Sequence, residues 1–542
     1  VRATASEHER ELLALAAHVP FLDATLLRHI GCGELASLLR SSGRTNTFIE
    51  REHGPTERYR ATLVGGEFAR RALPAPPFDL LRRAVTELCD RGEPGAALEL
   101  CTRLGDPALA REVVLAVERP DLVPRPVLDA ALALAEQTGE DSRLAELRGD
   151  LHYLRGAWED AVAAYGRAAA LGDPAAPRLV RKRAIILYMR GQLDDAQVMC
   201  EQARLDGSDL AEESKVLAWH AAIRWIRGDI DGCQVLLEGA EELGVRSGDD
   251  AALATVHTTR AMLAALRGDR HGNAESYRLA MHHAQRAGDV VQIVRIRTNR
   301  GSHFMEEGDY AQALGELEAA IELAELIGSE TFAAFAFSNR GETFRRTGRL
   351  DAALEDLRRA EGIWRRAGSD DVHYALTALG DVQALRGQRS EAVALYHQAI
   401  DLAEQQGDAQ GLAPALIGLA RQLRDDDPDA ALAATERAVT ISHAVTRPHA
   451  ELTVGWIELR RGDWPAARAR AERALQLAQA SQNRPAVAEA LLLKASLTDP
   501  PDRALAAESR MLCRDLGDPI GEARARLLIA RASSGRTREQ EI

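Results

Sequence analysis

The sequence predicts an all-α chain built as a superhelical array of about ten stacked helical hairpins. Three observations predict it. First, one phrase recurs: a glycine, a small residue about five places on, and an alanine at the twelfth place. The glycines are Gly156, Gly191, Gly228, Gly268, Gly308, Gly348, Gly387 and Gly462; the alanines are Ala168, Ala203, Ala240, Ala280, Ala320, Ala360, Ala399 and Ala474. A ninth copy, Asp426–Ala431–Ala438, lacks the glycine. Second, most neighbouring copies lie roughly 35 to 40 residues apart, the period of a helical-hairpin solenoid. Third, hydrophobic residues make up 46% of the chain but aromatics only 4%. That composition suits many thin Ala/Leu interfaces better than one thick core.

Each glycine stands where one helix must end and the next begin, because it tolerates the left-handed backbone of a helix terminus. An Asp after it, as in Gly308-Asp309-Tyr310, can accept from the free amides of the new helix. The alanines fall on one face of the second helix and let its neighbour approach closely. Between them a bulkier residue fills the seam: Tyr165, Tyr277, Leu317, Leu357 or Tyr396. A second breaker ends the unit: Gly172-Asp173, Gly248-Asp249, Gly288-Asp289, Gly328-Ser329, Gly368-Ser369 and Gly407-Asp408. One unit is therefore helix A, tight turn, helix B, short turn. An array of this kind is a surface for holding something and is rarely a catalyst.

These residues resemble the tetratricopeptide repeat over about 149–532. In that family helix A lines the concave face. With each turn glycine set at position fifteen of the motif, the resemblance places Arg178, Arg181, Lys215, Thr258, Arg295, Thr298, Ser302, Phe335, Ser338 and Tyr374 towards the groove, with Thr255, Glu342, Thr377 and Asp381. Asn299 and Asn339 take equivalent places in adjacent repeats. An amide that donates and accepts can clamp a peptide backbone, or it can tie neighbouring helices together. Hydroxyls, aromatics and arginines together suit a protein, a peptide or a small polar inducer rather than a lipid.

The first 75 residues do not follow the repeat. Ser6–Ala17 reads as a helix broken by Pro20, Asp23 caps a second through Ile30, and Glu34–Arg40 forms a third. Thr47–Glu50 and Glu57–Ala61 read as two short strands around a His53-Gly54-Pro55 turn, and a last helix runs from Gly66 to Leu73. Three helices and a hairpin make a winged-helix pattern. Glu9-Arg10-Glu11-Leu12-Leu13, Leu38-Leu39, Phe48-Ile49-Glu50 and Tyr59-Arg60 resemble the winged helix of the signal-transduction ATPases with numerous domains (STAND), in particular the maltose-regulon activator and related large LuxR-type regulators. A histidine usual after the Tyr-Arg pair is replaced by Ala61-Thr62. Residues 76–148 read as a helical connector of degenerate repeats, and 533–542 as a polar tail. Within that tail, Thr537–Ile542 resembles the opening of a LuxR-type DNA-binding domain.

The resemblance implies a sensor region of a cytoplasmic transcriptional regulator. Its inducer or partner would control activation and self-association through an ATPase outside this chain. The alternative is a stand-alone scaffold that collects protein partners. No Gly-x-x-x-x-Gly-Lys-Ser/Thr loop occurs, so ATP is expected only for an upstream domain. There is no Cys-x-x-Cys, His-Glu-x-x-His or Gly-x-Ser-x-Gly motif, so neither a metal site nor a catalytic residue is expected. His282-His283 point apart on a helix and read as solvent-facing. The net charge of −14 disfavours direct nucleic-acid binding. No apolar run reaches membrane-spanning length. The six cysteines show no paired spacing and read as buried thiols of a reducing compartment. Only Lys182, Lys215 and Lys494 are lysines, the rest of the positive charge being Arg, which reads as the coding bias of a high-GC bacterium.

Overall fold

The computed structural model describes residues 6–45, 48–52, 56–120 and 123–534. Among them are twenty-nine α-helices and one pair of three-residue strands. The chain divides into two compact units: residues 1–154 with 159–173, and residues 155–158 with 174–542.

The first unit opens on three helices, Glu7–His18, Ala24–His29 and Leu35–Thr45, each begun where the sequence predicts a break. Ser6 and Glu9 form a reciprocal capping box, and Asp23 accepts from the Leu26 amide at 2.7 Å. The strands Ile49–Arg51 and Tyr59–Ala61 pair antiparallel, with Glu50 opposite Arg60. Leu22 adds an isolated bridge to Tyr59, which the sequence reading lacks. The last helix of this group spans Leu63–Ala72 and starts earlier than expected, because Thr62 caps it by accepting from the Gly65 amide at 3.1 Å. The expected His53–Pro55 turn and Thr537–Ile542 lie outside the described residues.

The connector folds into four further helices, Phe78–Asp90, Pro94–Leu104, Pro107–Leu115 and Arg125–Ala135, followed by the hairpin Ser142–Leu154/Trp158–Leu171. One continuous apolar core runs from Leu12 through Leu39, Leu88, Leu100 and Leu132 to Leu151. The N-terminal helices and the connector therefore share a single interior.

The second unit is nine helical hairpins and a closing helix. In order the hairpins are Pro177–Met189/Leu193–Glu201, Leu210–Ile226/Ile230–Ser247, Asp250–Leu266/Arg270–Ala287, Val290–Glu307/Tyr310–Leu326, Glu330–Arg346/Leu350–Ala367, Val372–Leu385/Arg389–Gln406, Ala409–Leu423/Pro428–Ile441, Arg447–Arg461/Trp464–Ala480 and Arg484–Ala495/Arg503–Leu516. The closing helix is Pro519–Ser534.

All eight phrase glycines have positive φ, between 72° and 83°. Asp229, Asp269, Asp309 and Asp463 cap the following helices as expected. Of the twelfth-place alanines, Ala203 departs from the pattern. The second helix of the first hairpin stops at Glu201, and the Arg204 amide leaves to bond the Ala175 carbonyl at 2.9 Å. The seam residues Tyr165, Tyr277, Leu317, Leu357 and Tyr396 are all buried. Each meets a small residue sixteen places earlier on helix A: Gly149, Ala261, Gly301, Gly341 or Gly380. A Cβ at Gly341 would lie 2.7 Å from Leu357 Cγ, so the bulky knob requires the glycine hole.

The second unit also winds onto itself. The turn inside each of the first four hairpins nests against the joints that flank the hairpin five places later, and the turn of the fifth meets the start of the closing helix. Ser369 Oγ donates to the Met189 carbonyl at 2.7 Å, joining the first hairpin to the joint before the sixth. Arg270 Nε donates to the Ser481 carbonyl at 2.7 Å, joining the third to the joint after the eighth. Gly228 faces His443, Gly308 faces Leu516 and Gly348 faces Pro519.

Candidate binding site

The residues predicted to face the groove fall along the first helices of the first six hairpins, and most are engaged by neighbouring helices. Arg181 donates to Glu212 at 2.7 Å, and Lys215 lies 3.4 Å from Glu212 and 3.2 Å from Asp249. This charged chain stitches the first hairpin to the second and the second to the joint before the third. Burial alone would raise the Glu212 carboxyl, but Arg181 and Lys215 pull it down to about 2. Arg178 stands exposed on the first turn of its helix.

Thr258 is fully buried and accepts from Gln292 Nε2 at 2.6 Å. Arg295 donates to Gln292 Oε1 at 2.9 Å and lies over the Trp219 ring, 4.2 Å from its centroid. Thr298 donates to the Val294 carbonyl of its own helix. Asn299 hydrogen-bonds the Tyr277 hydroxyl. Asn339 Nδ2 approaches the Thr298 carbonyl at 3.5 Å, a tie between adjacent hairpins. Phe335 packs edge-on against Trp364 at 5.0 Å, Ser338 is buried and Ser302 is half-buried.

Tyr374 donates to Asp408 Oδ2 at 2.7 Å, beside His373 Nε2 at 2.9 Å from the same oxygen. Asp408 also caps the helix Ala409–Leu423 through Oδ1. His373 and Asp408 are both essentially buried, a pair that sequence reasoning missed. Among the described residues no cluster of three or more metal-ligating side chains exists. His283 faces Asp250 at 2.7 Å and stacks on His257, so it is not a solvent-facing side chain as expected.

The open space in this unit lies further along. A cavity of about 800 Å³ is lined in turn by the fourth to ninth hairpins and the closing helix, which together make one turn of the superhelix. Glu342 and Asp381, both expected at the groove, line it. They stand six residues before Gly348 and Gly387, and Trp456, six before Gly462, lines it too. The register that selects the first two therefore also selects the third.

Two groups stand out among the charged side chains that face this lumen. In the first, Glu342 accepts from Arg345 Nε at 2.6 Å and from Arg346 Nε at 2.8 Å. Arg346 continues to Glu306 at 3.1 Å, and Tyr396 donates to Asp381 at 2.6 Å. Burial opposes the Glu342 charge, but the two guanidinium groups hold its carboxyl well below the usual range. In the second, Arg421 and His449 lie 3.5 and 3.7 Å from Glu489 Oε2. Burial would raise Glu489, but Arg421, His449 and Arg524 hold it down to about 2. Arg421 and Glu489 come from hairpins that lack the turn glycine, so the repeat phrase gives them no register; His449 stands thirteen residues before Gly462, the register of Phe335 and Tyr374 in their own hairpins, and could have been found from it.

A family model described as tetratricopeptide repeat matches residues 292–366, the core of the fourth and fifth hairpins. Those two hairpins are similar to the tetratricopeptide repeat, and the rest of the array repeats their helix–turn–helix build. Its fold is similar to that of the Cut9–Hcn1 hetero-tetramer of the APC/C, at 14% identity and a TM-score of 0.54, covering 88% of this chain and 95% of that one. Less similar are a Rap protein complexed with competence and sporulation factor (13% identity, TM-score 0.43, 60% of this chain and 100% of that one) and yeast Tom70 (14%, 0.35, 79% and 98%). No curated protein sequence matches. None of the described helices is long and apolar enough to cross a membrane.

Proposed function

We propose that this chain is a ligand-sensing helical-repeat module, and that its ligand is a peptide or small polar molecule held in the lumen of the last superhelical turn. The observation that carries the reading is the cavity itself. Its volume falls in the range of ligand sites, roughly 300–1,000 Å³, and its wall mixes fixed charges with tryptophan, tyrosine and aliphatic side chains. Six consecutive hairpins contribute to it, so a ligand there touches the whole turn and can bias its winding.

The finer reading is the sensor region of a STAND-type transcriptional regulator, in which occupancy of the lumen controls activation and oligomerisation of an ATPase outside this chain. The order of three helices, strand pair and helix before the array supports it. So does the shared core that continues those helices into the connector. The predicted groove residues Arg178, Arg181, Lys215, Thr258, Arg295, Thr298, Asn299, Ser302, Phe335, Ser338, Asn339 and Tyr374 serve in this reading as the frame that fixes the earlier hairpins.

The test is retention of a tripeptide pool by the 542-residue chain, read by native mass spectrometry, with Ser496→Trp to fill the lumen. Retention by the wild type and its loss in the variant is expected. Equal retention by both would place the ligand elsewhere and overturn the reading.

A further inference from the structure

We infer that the contact between the first hairpin and the sixth is a proton-operated latch, shut while Asp371, His373 and Asp408 together stay electrically neutral and loosened as a rising pH leaves two carboxylates buried there. This holds whether or not the lumen is the ligand site.

The latch is a polar, closed contact between successive superhelical turns. Ser369 Oγ donates to the Met189 carbonyl at 2.7 Å and accepts from the Asp371 amide at 3.2 Å. On the other flank of the sixth hairpin, Gln406 packs on Gly191, the turn of the first. Between these two points the titratable side chains are shut away from water: His373 is 0% exposed, Asp408 2% and Asp371 8%.

The hydrogen bonds fix the charges. His373 has an acceptor at each ring nitrogen, the Asp370 carbonyl 2.8 Å from Nδ1 and Asp408 Oδ2 2.9 Å from Nε2. A neutral imidazole carries one N–H, so serving both acceptors takes the imidazolium. Asp408 accepts from the Tyr374 hydroxyl as well and from the Gln410 and Gly411 amides, so it is the carboxylate that balances His373. Asp371 is then a second acid beside one cation. Protonated, it leaves the site neutral. Ionised, it makes the site −1, and loss of the imidazolium proton makes it −2, in a place where an unpaired charge is expensive.

The surrounding groups do not change that count. Tyr188 of the first hairpin and Tyr374 are phenols that burial keeps protonated. Asp370 is a further acid, offset by His373 and by Arg190 of the first hairpin, and Arg295 acts on Tyr188. Burial pushes the Asp371 carboxyl up to about 7, against the pull of His373. Burial opposes the His373 charge, but Asp408 holds the imidazole above its ordinary value. Both groups are raised in the shut form. Each therefore stabilises it fully below the ordinary value, 3.8 for Asp371 and 6.5 for His373, and that stabilisation is lost as pH climbs to the shut-form value. Between pH 5 and 6.5 Asp371 alone favours opening by about tenfold per pH unit. The sixth hairpin also lines the cavity through Asp381 and Tyr396, so the latch sets where one wall of the lumen stands.

The experiment is hydrogen–deuterium exchange of the full chain from pH 5 to 8, with rates corrected for the intrinsic pH dependence of amide exchange. It is read at the two joints of the latch, Gly368–Val372 and Gln406–Gly411. The reference is the joint Leu516–Gly521, where Gly308 meets Leu516 and Gly348 meets Pro519. Protection at the latch is expected to fall about tenfold per unit between pH 5 and 6.5 and to keep falling beyond, while the reference changes less than twofold. Asp371→Asn, which keeps the shape without the titration, is expected to abolish the fall below pH 6.5. The wild-type slope needs no substitution, so a variant that fails to fold leaves the result intact. A flat wild-type profile, an equal fall at the reference joint, or a wild-type slope in Asp371→Asn would each overturn the latch.

Discussion

At the residue scale, the turn glycines carry two separate demands. Each needs a left-handed backbone, which costs an L side chain about 1–2 kcal/mol. Some also need empty space, because the next superhelical turn packs on them. A Cβ at Gly348 would lie 2.7 Å from the Pro519 ring, whereas one at Gly387 would meet nothing within 4 Å. Their φ values, 76° and 79°, are nearly the same. Gly387→Ala is therefore expected to destabilise by about 1 kcal/mol through φ alone. Gly348→Ala adds an overpacking cost of about 1–3 kcal/mol. Urea midpoints of the two variants measure the difference, and equal shifts would show that the turns do not bear on each other. The left-handed demand was legible in the sequence because it repeats. The spatial one was not, because Pro519 begins the closing helix far along the chain and carries no mark of the repeat.

Within the lumen, Glu342 is the residue that ties Arg345 and Arg346 together, with Asp381 and Glu306 as their second partners. Glu342→Gln is expected to destabilise by about 3 kcal/mol, since it breaks two ion pairs of one buried network. Thermal unfolding reads this directly, and a change near zero would mean that water already serves both guanidinium groups.

At the element scale, the joints Gly248-Asp249, Gly288-Asp289 and Gly407-Asp408 are each held by a glycine and a capping aspartate. Asp289 accepts from the Gln292 amide at 2.9 Å, so Asp289→Ala is expected to cost about 1 kcal/mol, read as a fall in melting temperature. The chain Arg181–Glu212–Lys215–Asp249 adds an acid-sensitive tie. The folded Glu212 carboxyl, at about 2, lies below its ordinary value of 4.5. Its stabilisation is present above about pH 4.5 and is lost as pH falls from there towards 2. Glu212→Gln is expected to flatten that acid limb of the stability curve and leave stability between pH 7 and 8 with no further pH dependence from this site. An unchanged acid limb would mean that the pair contributes nothing.

The sequence made the hairpin boundaries readable because glycine and aspartate must sit at chain reversals. It did not make readable which polar residues of helix A face open space. Thr258, Asn339 and Tyr374 sit at the expected register, yet Gln292, the Thr298 carbonyl and Asp408 occupy their hydrogen-bonding groups. A register gives a direction; only the packed neighbours decide whether that direction ends in a cavity. Ala203 shows the opposite failure, a matching letter in a segment whose helix has already ended.

On the scale of the whole second unit, function follows from winding. Each of the first four hairpins nests against the joints five places later, the fifth meets the closing helix, and the last turn surrounds the lumen. Ties such as Arg270 to the Ser481 carbonyl hold successive turns together. A ligand spanning the lumen touches elements whose spacing those ties set, which gives it a mechanical route to the rest of the array. The order of the first eight hairpins was readable from the repeated phrase, which does not extend to the ninth; the return contact between distant turns was not, since it depends on the pitch accumulated over five units.

The central claim is that ligand is held inside the last superhelical turn. Hydrogen–deuterium exchange of the full chain, with and without the tripeptide pool, tests it most directly. Slowed exchange in Glu330–Arg346, Ala409–Leu423 and Arg484–Ala495, whose side chains line the cavity, is the predicted result. Slowed exchange confined to the outer helices, such as Ile230–Ser247 and Arg270–Ala287, would contradict it.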